Sequence, residues 1–171
     1  IAPEGKYFFA SSLAKLSGGV SFEKDYLATN GGLGGEMDFN EKNTTLSWGA
    51  GLSLDEIDPT PTTTNLDPSR GDKRTISLFT GLSQVLDRSS ALQLNFSYQN
   101  GSGFLSDPYK LYAVVDLSQN FADSRPDVRH QFAVLGRYRR HFERVGGTLH
   151  ADYRYYIDDW NINSHTVELA W

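Results

Sequence analysis

Ala91-Leu92-Gln93-Leu94-Asn95-Phe96-Ser97-Tyr98-Gln99 alternates without a break. Leu92, Leu94, Phe96 and Tyr98 share one parity, and Gln93, Asn95, Ser97 and Gln99 share the other. Successive side chains of a strand point to opposite faces, so a period of two sorts this segment into an apolar face and a polar one. An amphipathic helix would instead bring apolar residues back every third or fourth position. The same parity runs through Thr45 to Asp55, where Leu46, Trp48, Ala50, Leu52 and Leu54 oppose Thr45, Ser47, Gly49, Gly51 and Ser53. It recurs from Arg74 to Val85, where Ile76, Leu78, Thr80 and Leu82 oppose Thr75, Ser77, Gly81 and Ser83; Phe79 is the one large residue out of place.

Working outward, Leu16, Val20 and Phe22 share a parity, and Leu33, Met37 and Phe39 oppose Glu36 and Asp38. Downstream the polar parity becomes charged. His130 to Phe142 sets Phe132, Val134, Tyr138 and Phe142 against Gln131, Arg137, Arg139 and His141. Thr148 to Tyr156 sets Leu149, Ala151, Tyr153 and Tyr155 against His150, Asp152 and Arg154, and Ser164 to Trp171 sets Val167, Leu169 and Trp171 against Thr166 and Glu168. These segments predict about eight strands of roughly ten residues, the length a tilted strand needs to cross a bilayer.

Composition agrees with an all-β chain. The 171 residues include 16 Gly, 9 Tyr, 10 Phe and 3 Trp, with one Met; glycines suit turns and aromatics suit strands. The absence of Cys excludes disulfide scaffolds, thiolate metal sites and Cys nucleophiles. A net charge of -5 gives no nucleic-acid footprint. Apolar runs are far shorter than the roughly 20 residues of a spanning helix, so any crossing must be made by strands. The chain opens at Ile1 with no signal peptide visible, which reads as a processed mature chain or an excised portion of a longer protein, with the portion preferred.

The links alternate in length. Short ones at Asn40 to Asn43, Leu86 to Ser89 and Glu143 to Gly147 interleave with long ones at Glu56 to Lys73 and Asn100 to Arg129, and Asp158 to Asn163 forms a shorter outer loop. Outer-membrane barrels show this pattern of short turns on one side and long loops on the other. The second long link holds a possible further strand at Leu111 to Val115. The expected fold is therefore an antiparallel up-and-down transmembrane β-barrel, one domain or a portion of a larger barrel over residues 1–171, with a soluble β-sandwich or barrel as the competing class.

GFLSDPYKLYAVVD (Gly103 to Asp116), SRPDVRHQ (Ser124 to Gln131) and DYRYYIDDWNINSHTVELAW (Asp152 to Trp171) together resemble the bacterial family called domain of unknown function 3570. Fainter similarity runs through DFNEKNTTLSWGAGLSLDEIDP and SQVLDRSSALQLNFSYQ, so the resemblance covers the chain from about Lys15, and Ile1 to Ala14 match nothing. It implies a bacterial outer-membrane β-barrel whose members are longer, with further strands beyond Trp171. Trp171, with Leu169 and Val167 before it, has a second reading as the terminal aromatic of an insertion signal. The resemblance implies no catalytic residue and no cofactor.

Candidate functional residues follow from parity. Arg137, Arg139, Asp152, Arg154 and Glu168 fall on the polar side of three consecutive strands and are expected to line a lumen, either selecting ions or bracing one another. Asp107, Pro108, Tyr109, Lys110, Arg125, Pro126, Asp127 and Arg129 belong to one long outer loop, which either folds inward as a constriction or stands rigid on Asp-to-Arg pairs. Tyr98, Tyr138, Phe142, Tyr153, Tyr155 and Trp171 are expected to form an interfacial aromatic girdle against outer-membrane lipid.

Other chemistry reads weakly. Carboxylates at Asp55, Glu56 and Asp58, and at Asp158 and Asp159, lack the spacing of a calcium loop, and His130, His141, His150 and His165 lack that of a zinc site. Ser164 and His165 are adjacent and so face opposite sides of a strand, unable to act together as nucleophile and base. Gly31 to Gly35 lacks the helix and lysine of a phosphate loop. No enzyme and no metal is expected. The functions in play are an outer-membrane pore or barrel scaffold, a plugged barrel that sheathes or docks another envelope protein, and a soluble β-rich binding module.

Overall fold

A computed structural model describes residues 2–62, 65, 67–114 and 119–171. Nine strands form one antiparallel meander: β1 (Glu4–Phe8), β2 (Ser12–Phe22), β3 (Tyr26–Phe39), β4 (Thr44–Ile57), β5 (Gly71–Asp87), β6 (Ser90–Gly103), β9 (Val128–Phe142), β10 (Gly147–Asp158) and β11 (Asn163–Ala170). A separate hairpin, β7 (Leu111–Val114) with β8 (Gln119–Ala122), is inserted between β6 and β9. Each of the eight expected strands is present. The count is corrected by β1, which lies in the stretch where the sequence pattern is silent, and by β8. Of the expected strand Leu111 to Val115, Val115 lies outside the described residues, as do Thr63, Thr64 and Leu66 of the first long link.

The pairing register turns the parity argument into two faces. One row reads Met37, Leu46, Leu82, Leu94, Gly136, Tyr153 and Val167 across neighbouring strands. Beside it on the opposite face runs Asp38, Thr45, Ser83, Gln93, Arg137, Asp152 and Glu168. From β1 to β11 the apolar face carries five charged side chains, Glu56, Asp72 and Arg74 at one end and Asp87 and Arg140 at the other.

The sheet is a single layer. Ala28 is the one buried hydrophobic residue among those described, while Leu94, Phe96, Phe132, Val134 and Tyr153 in the middle of the sheet are 40–47% exposed. The buried polar residues are Asp55, Ser90 and Asp158. That distribution inverts the one a water-soluble domain adopts, in which a second layer covers the apolar face.

The connections sort by length only in part: the links after β4 and β6 are long, whereas Glu23 to Asp25 after β2 and Asp159 to Ile162 after β10 are as short as the turns at the opposite end. Phe9 to Ser11, Asn40 to Asn43, Arg88 to Ser89 and Glu143 to Gly146 close one end, and the links after β2, β4, β6 and β10 close the other. Asn40, Glu41 and Lys42 all take positive φ, with Asn43 donating from its backbone N–H to the Asn40 carbonyl at 3.0 Å. Barrel closure is not found among the described residues: β1 and β11 occupy opposite edges of the sheet and run in the same direction. The sheet is therefore an open antiparallel wall, a coarser architecture than the closed barrel the sequence suggests.

Candidate functional site

The polar face divides into two unlike halves. Over β2 to β5 it is built from Ser17, Gly32, Gly34, Gly49, Gly51 and Ser77, with Phe79 rising from it. Little side chain projects there, and a cavity of about 300 Å³ lies over these glycines. Gly34 is held bare by the backbone, since a Cβ would stand 2.9 Å from the Trp48 carbonyl oxygen. Lys15 and Glu36 pair at 2.6 Å on this half.

Over β6 and β9 to β11 the polar face is charged and cross-linked. Of the five charged residues expected to line a lumen, three bond to one another: Arg137 donates from Nε to Asp152 Oδ2 at 3.2 Å, and Arg139 clasps the same carboxylate through both terminal nitrogens. Asp152 is directly opposite Arg137 on β9 and Glu168 on β11, which explains the geometry. Arg154 sits with its guanidinium 5.9 Å from the centre of the Tyr156 ring. Glu168 joins Arg137, Asp152 and Arg154 around a cavity of about 420 Å³ that Phe79, Asn95 and Ser97 also line.

Towards the long-loop end lies a denser network that parity alone did not single out. The Asp158 carboxylate accepts from Arg129 Nε at 3.0 Å and Nη2 at 2.5 Å, from the Tyr156 hydroxyl at 2.8 Å, and from the backbone N–H groups of Trp160 and Ile162. Its side chain is fully covered. Gln131 donates to the Tyr156 hydroxyl at 2.8 Å, and the Arg129 guanidinium lies 4.4 Å from the centre of the Trp160 ring. The hint in the sequence was Asp158 two residues beyond Tyr156, a strand step that keeps both on one face.

The long loop after β6 turns back over the polar face of the sheet. Leu105 packs over Gly101, where a Cβ would meet it at 3.4 Å, and Phe104 covers Gly71. Gly103 turns the chain with φ +99, and a Cβ there would stand 2.2 Å from the Asp72 carbonyl oxygen. Tyr109 ties three connections together: its hydroxyl donates to Asp25 after β2 and accepts from the Thr60 backbone N–H after β4 at 3.1 Å. Hydrogen bonding to the Asp25 carboxylate holds the Tyr109 phenol above its usual pKa. Asn65 donates to the Pro108 carbonyl at 3.0 Å.

Within the loop, Asp123 accepts from the Asp107 backbone N–H at 2.9 Å and pairs with Arg125 at 2.7 Å. The Asp107 N–H, and then Arg125, hold the Asp123 carboxyl below the ordinary carboxylate range. Lys110 supplies backbone contacts to Asp107 and Asp123, and the Asp127 carbonyl receives the Gly103 N–H at 2.8 Å. Pro126 is exposed. Of the eight loop residues singled out, Arg129 belongs to β9 and to the Asp158 network rather than to the loop's own pairs.

The six aromatics share the apolar face but not one level. Phe142 and Trp171 lie tilted to each other with ring centres 5.6 Å apart near the short-turn end, and Tyr138 is two same-face steps from Phe142 along β9. Tyr153 and Tyr155 lie mid-strand, and Tyr98 stands further towards the long loops, bonded through its hydroxyl to His130 Nδ1 at 2.9 Å. His165 is on the apolar face, 2.7 Å from the Tyr153 hydroxyl, whereas Ser164 pairs in register with Tyr156 on the polar one. Asp55 binds Ser53 and Lys73, Asp58 binds Arg70, and Glu56 faces the other way, so these carboxylates are dispersed.

A family model described as "Protein of unknown function (DUF3570)" matches residues 5–171. The chain belongs to this family. The match begins ten residues earlier than the motif similarity from Lys15 indicates and takes in β1. No curated protein and no solved structure matches the chain. Seen on the sheet, the Arg129 of SRPDVRHQ and the Tyr156, Asp158 and Trp160 of DYRYYIDDW are the two sides of one hydrogen-bonded network.

Proposed function

We propose that this chain forms wall of a β-barrel in the bacterial outer membrane, its apolar face against lipid and its polar face around a water-filled lumen that acts as a pore. The observation that carries the reading is the apolar face itself. It is exposed across neighbouring strands, nearly free of charge between its two ends, and backed by a face that is glycine, serine and ion pairs. Lipid satisfies such a face without a second protein layer, and strands satisfy their backbone groups by pairing with one another.

Heat-modifiability tests the barrel, because closed outer-membrane barrels keep their fold in detergent until boiled. The full-length protein should fractionate with the outer membrane, shift in mobility on boiling, and open discrete channels in planar bilayers. A soluble protein with no shift would overturn the reading in favour of a β-rich binding module.

A second reading has its own support. The Arg137, Arg139 and Asp152 ties and the loop turned back over the polar face fill space that an open pore leaves to water. A plugged barrel that sheathes or docks another envelope protein would give the heat shift, no conductance, and a partner that stays bound through purification.

A further inference from the structure

We propose that the pocket beneath the loop after β6 binds a neutral saccharide at the long-loop mouth of the sheet. This goes beyond the pore reading and stands without it, since the pocket exists whether or not the lumen conducts. The cavity measures about 330 Å³, within the range of small-molecule sites. Phe104, Leu105 and Trp160 give it an apolar wall. Gln99, Gln131 and Thr75 rise from the polar face of β5, β6 and β9 to give it a floor.

The charges around this pocket decide the ligand class. Lys73, Arg125 and Arg129 all line it, and each is matched: Lys73 with Asp55 at 3.6 Å, Arg125 with Asp123 at 2.7 Å, and Arg129 with Asp158 at 2.5 Å. An anion would have to displace these carboxylates, and a cation would meet three matched positive groups. The groups left for a ligand are uncharged. Gln99 and Thr75 make no side-chain hydrogen bond among the described residues, and Gln131 uses its amide N–H on Tyr156 and keeps its carbonyl oxygen. Uncharged donors and acceptors on one side and apolar surface on the other are the complement of a sugar ring, with hydroxyls at its rim and C–H groups on its faces.

Maltose is the probe, titrated into the full chain refolded in detergent and followed by saturation-transfer NMR, with folding verified by the heat-dependent mobility shift. Wild-type protein should give saturable transfer. Gln99→Leu removes an amide that makes no hydrogen bond among the described residues, so it should keep the heat shift and raise the Kd for maltose about tenfold. Trp160→Leu should abolish transfer. No saturable transfer to folded wild-type protein, unchanged affinity in Gln99→Leu, or tighter binding of glucose 6-phosphate than of maltose would each overturn the proposal. Channels without maltose binding would sink the site and leave the pore; maltose binding without channels would do the reverse.

Discussion

The two halves of the polar face solve the same problem in opposite ways. Both back an apolar face with a polar one. Over β2 to β5 the solution is subtraction: glycines and serines leave the backbone bare, and Gly34 lies so near the Trp48 carbonyl that no Cβ fits. Over β6 and β9 to β11 the solution is cancellation: long charged chains stay, but Arg137 and Arg139 close on Asp152, and Arg129 closes on Asp158. The bare half is therefore limited by backbone sterics and the charged half by electrostatic matching. Substitutions should sort the halves by the kind of damage they do.

The most damaging change belongs to neither wall but to the hinge that feeds the loop over them. Gly103→Ala places a methyl group on a residue at φ +99 with its Cβ 2.2 Å from the Asp72 carbonyl oxygen. Backbone strain and overlap together should cost about 3 kcal/mol or more, read as a fall in the urea midpoint of refolding into lipid vesicles. A variant with the wild-type midpoint would show that the loop is not anchored through Gly103.

Next comes a paired test inside the bare half. In Gly34→Ala the new methyl meets a backbone oxygen, so the β3–β4 pairing must shift, and overpacking of this kind costs about 1–3 kcal/mol. In Gly81→Ala the neighbours within 3 Å are the Asn95 and Ser47 side-chain oxygens, which can rotate aside. It should cost less than about 1 kcal/mol, in line with ordinary surface changes. Equal losses for the two would mean that space, and not the backbone, shapes this half.

In the charged half the corresponding test is selectivity. Asp152→Asn leaves Arg137 and Arg139 without their shared carboxylate. If the lumen conducts, its reversal potential in a salt gradient should move towards anions, because fixed positive charge admits counter-ions preferentially. A substitution in the bare half that changes no charge, Ser77→Asn, should leave the potential where it was. An unmoved potential in Asp152→Asn, in a conducting protein, would place the permeation path away from the charged wall.

How much of this was legible in advance follows from what parity encodes. Alternation at Leu92 to Gln99 and its neighbours located the strands and assigned their faces, because a face is fixed by a residue's own position. It also brought Arg137, Arg139 and Asp152 to one side. β1 escaped because Glu4, Gly5 and Lys6 give no apolar stripe, and its strand exists through pairing with β2. The Asp158 network escaped for a related reason. It joins the end of β10 to the start of β9 and to Trp160 in the following turn, and which donors converge on one carboxylate depends on register and turn geometry. Closure, likewise, is a relation between edges, on which the pattern within strands is silent.

The gentlest test bears on the loop that roofs the charged half. The Asp123 carboxyl is held below its ordinary pKa, chiefly by the Asp107 N–H and then by Arg125, so its contribution to loop order is complete above the ordinary carboxylate range. The sign follows from linkage: a group with a lowered folded pKa loses its stabilising effect as pH falls through that lowered value, where the folded loop must take up a proton. Asp123 is near the surface, so solvent screens the effect and the loop alone, not the sheet, should respond. Limited proteolysis by pepsin should therefore cut the segment between Asp107 and Arg125 faster as the pH is lowered through the acid range, while the strands stay intact. Asp123→Asn should be cut quickly across that range, with the pH dependence flattened. A variant that keeps the wild-type profile would move the latch from Asp123 to the Tyr109 bridge with Asp25 and Thr60, which draws its hold from the other half of the molecule.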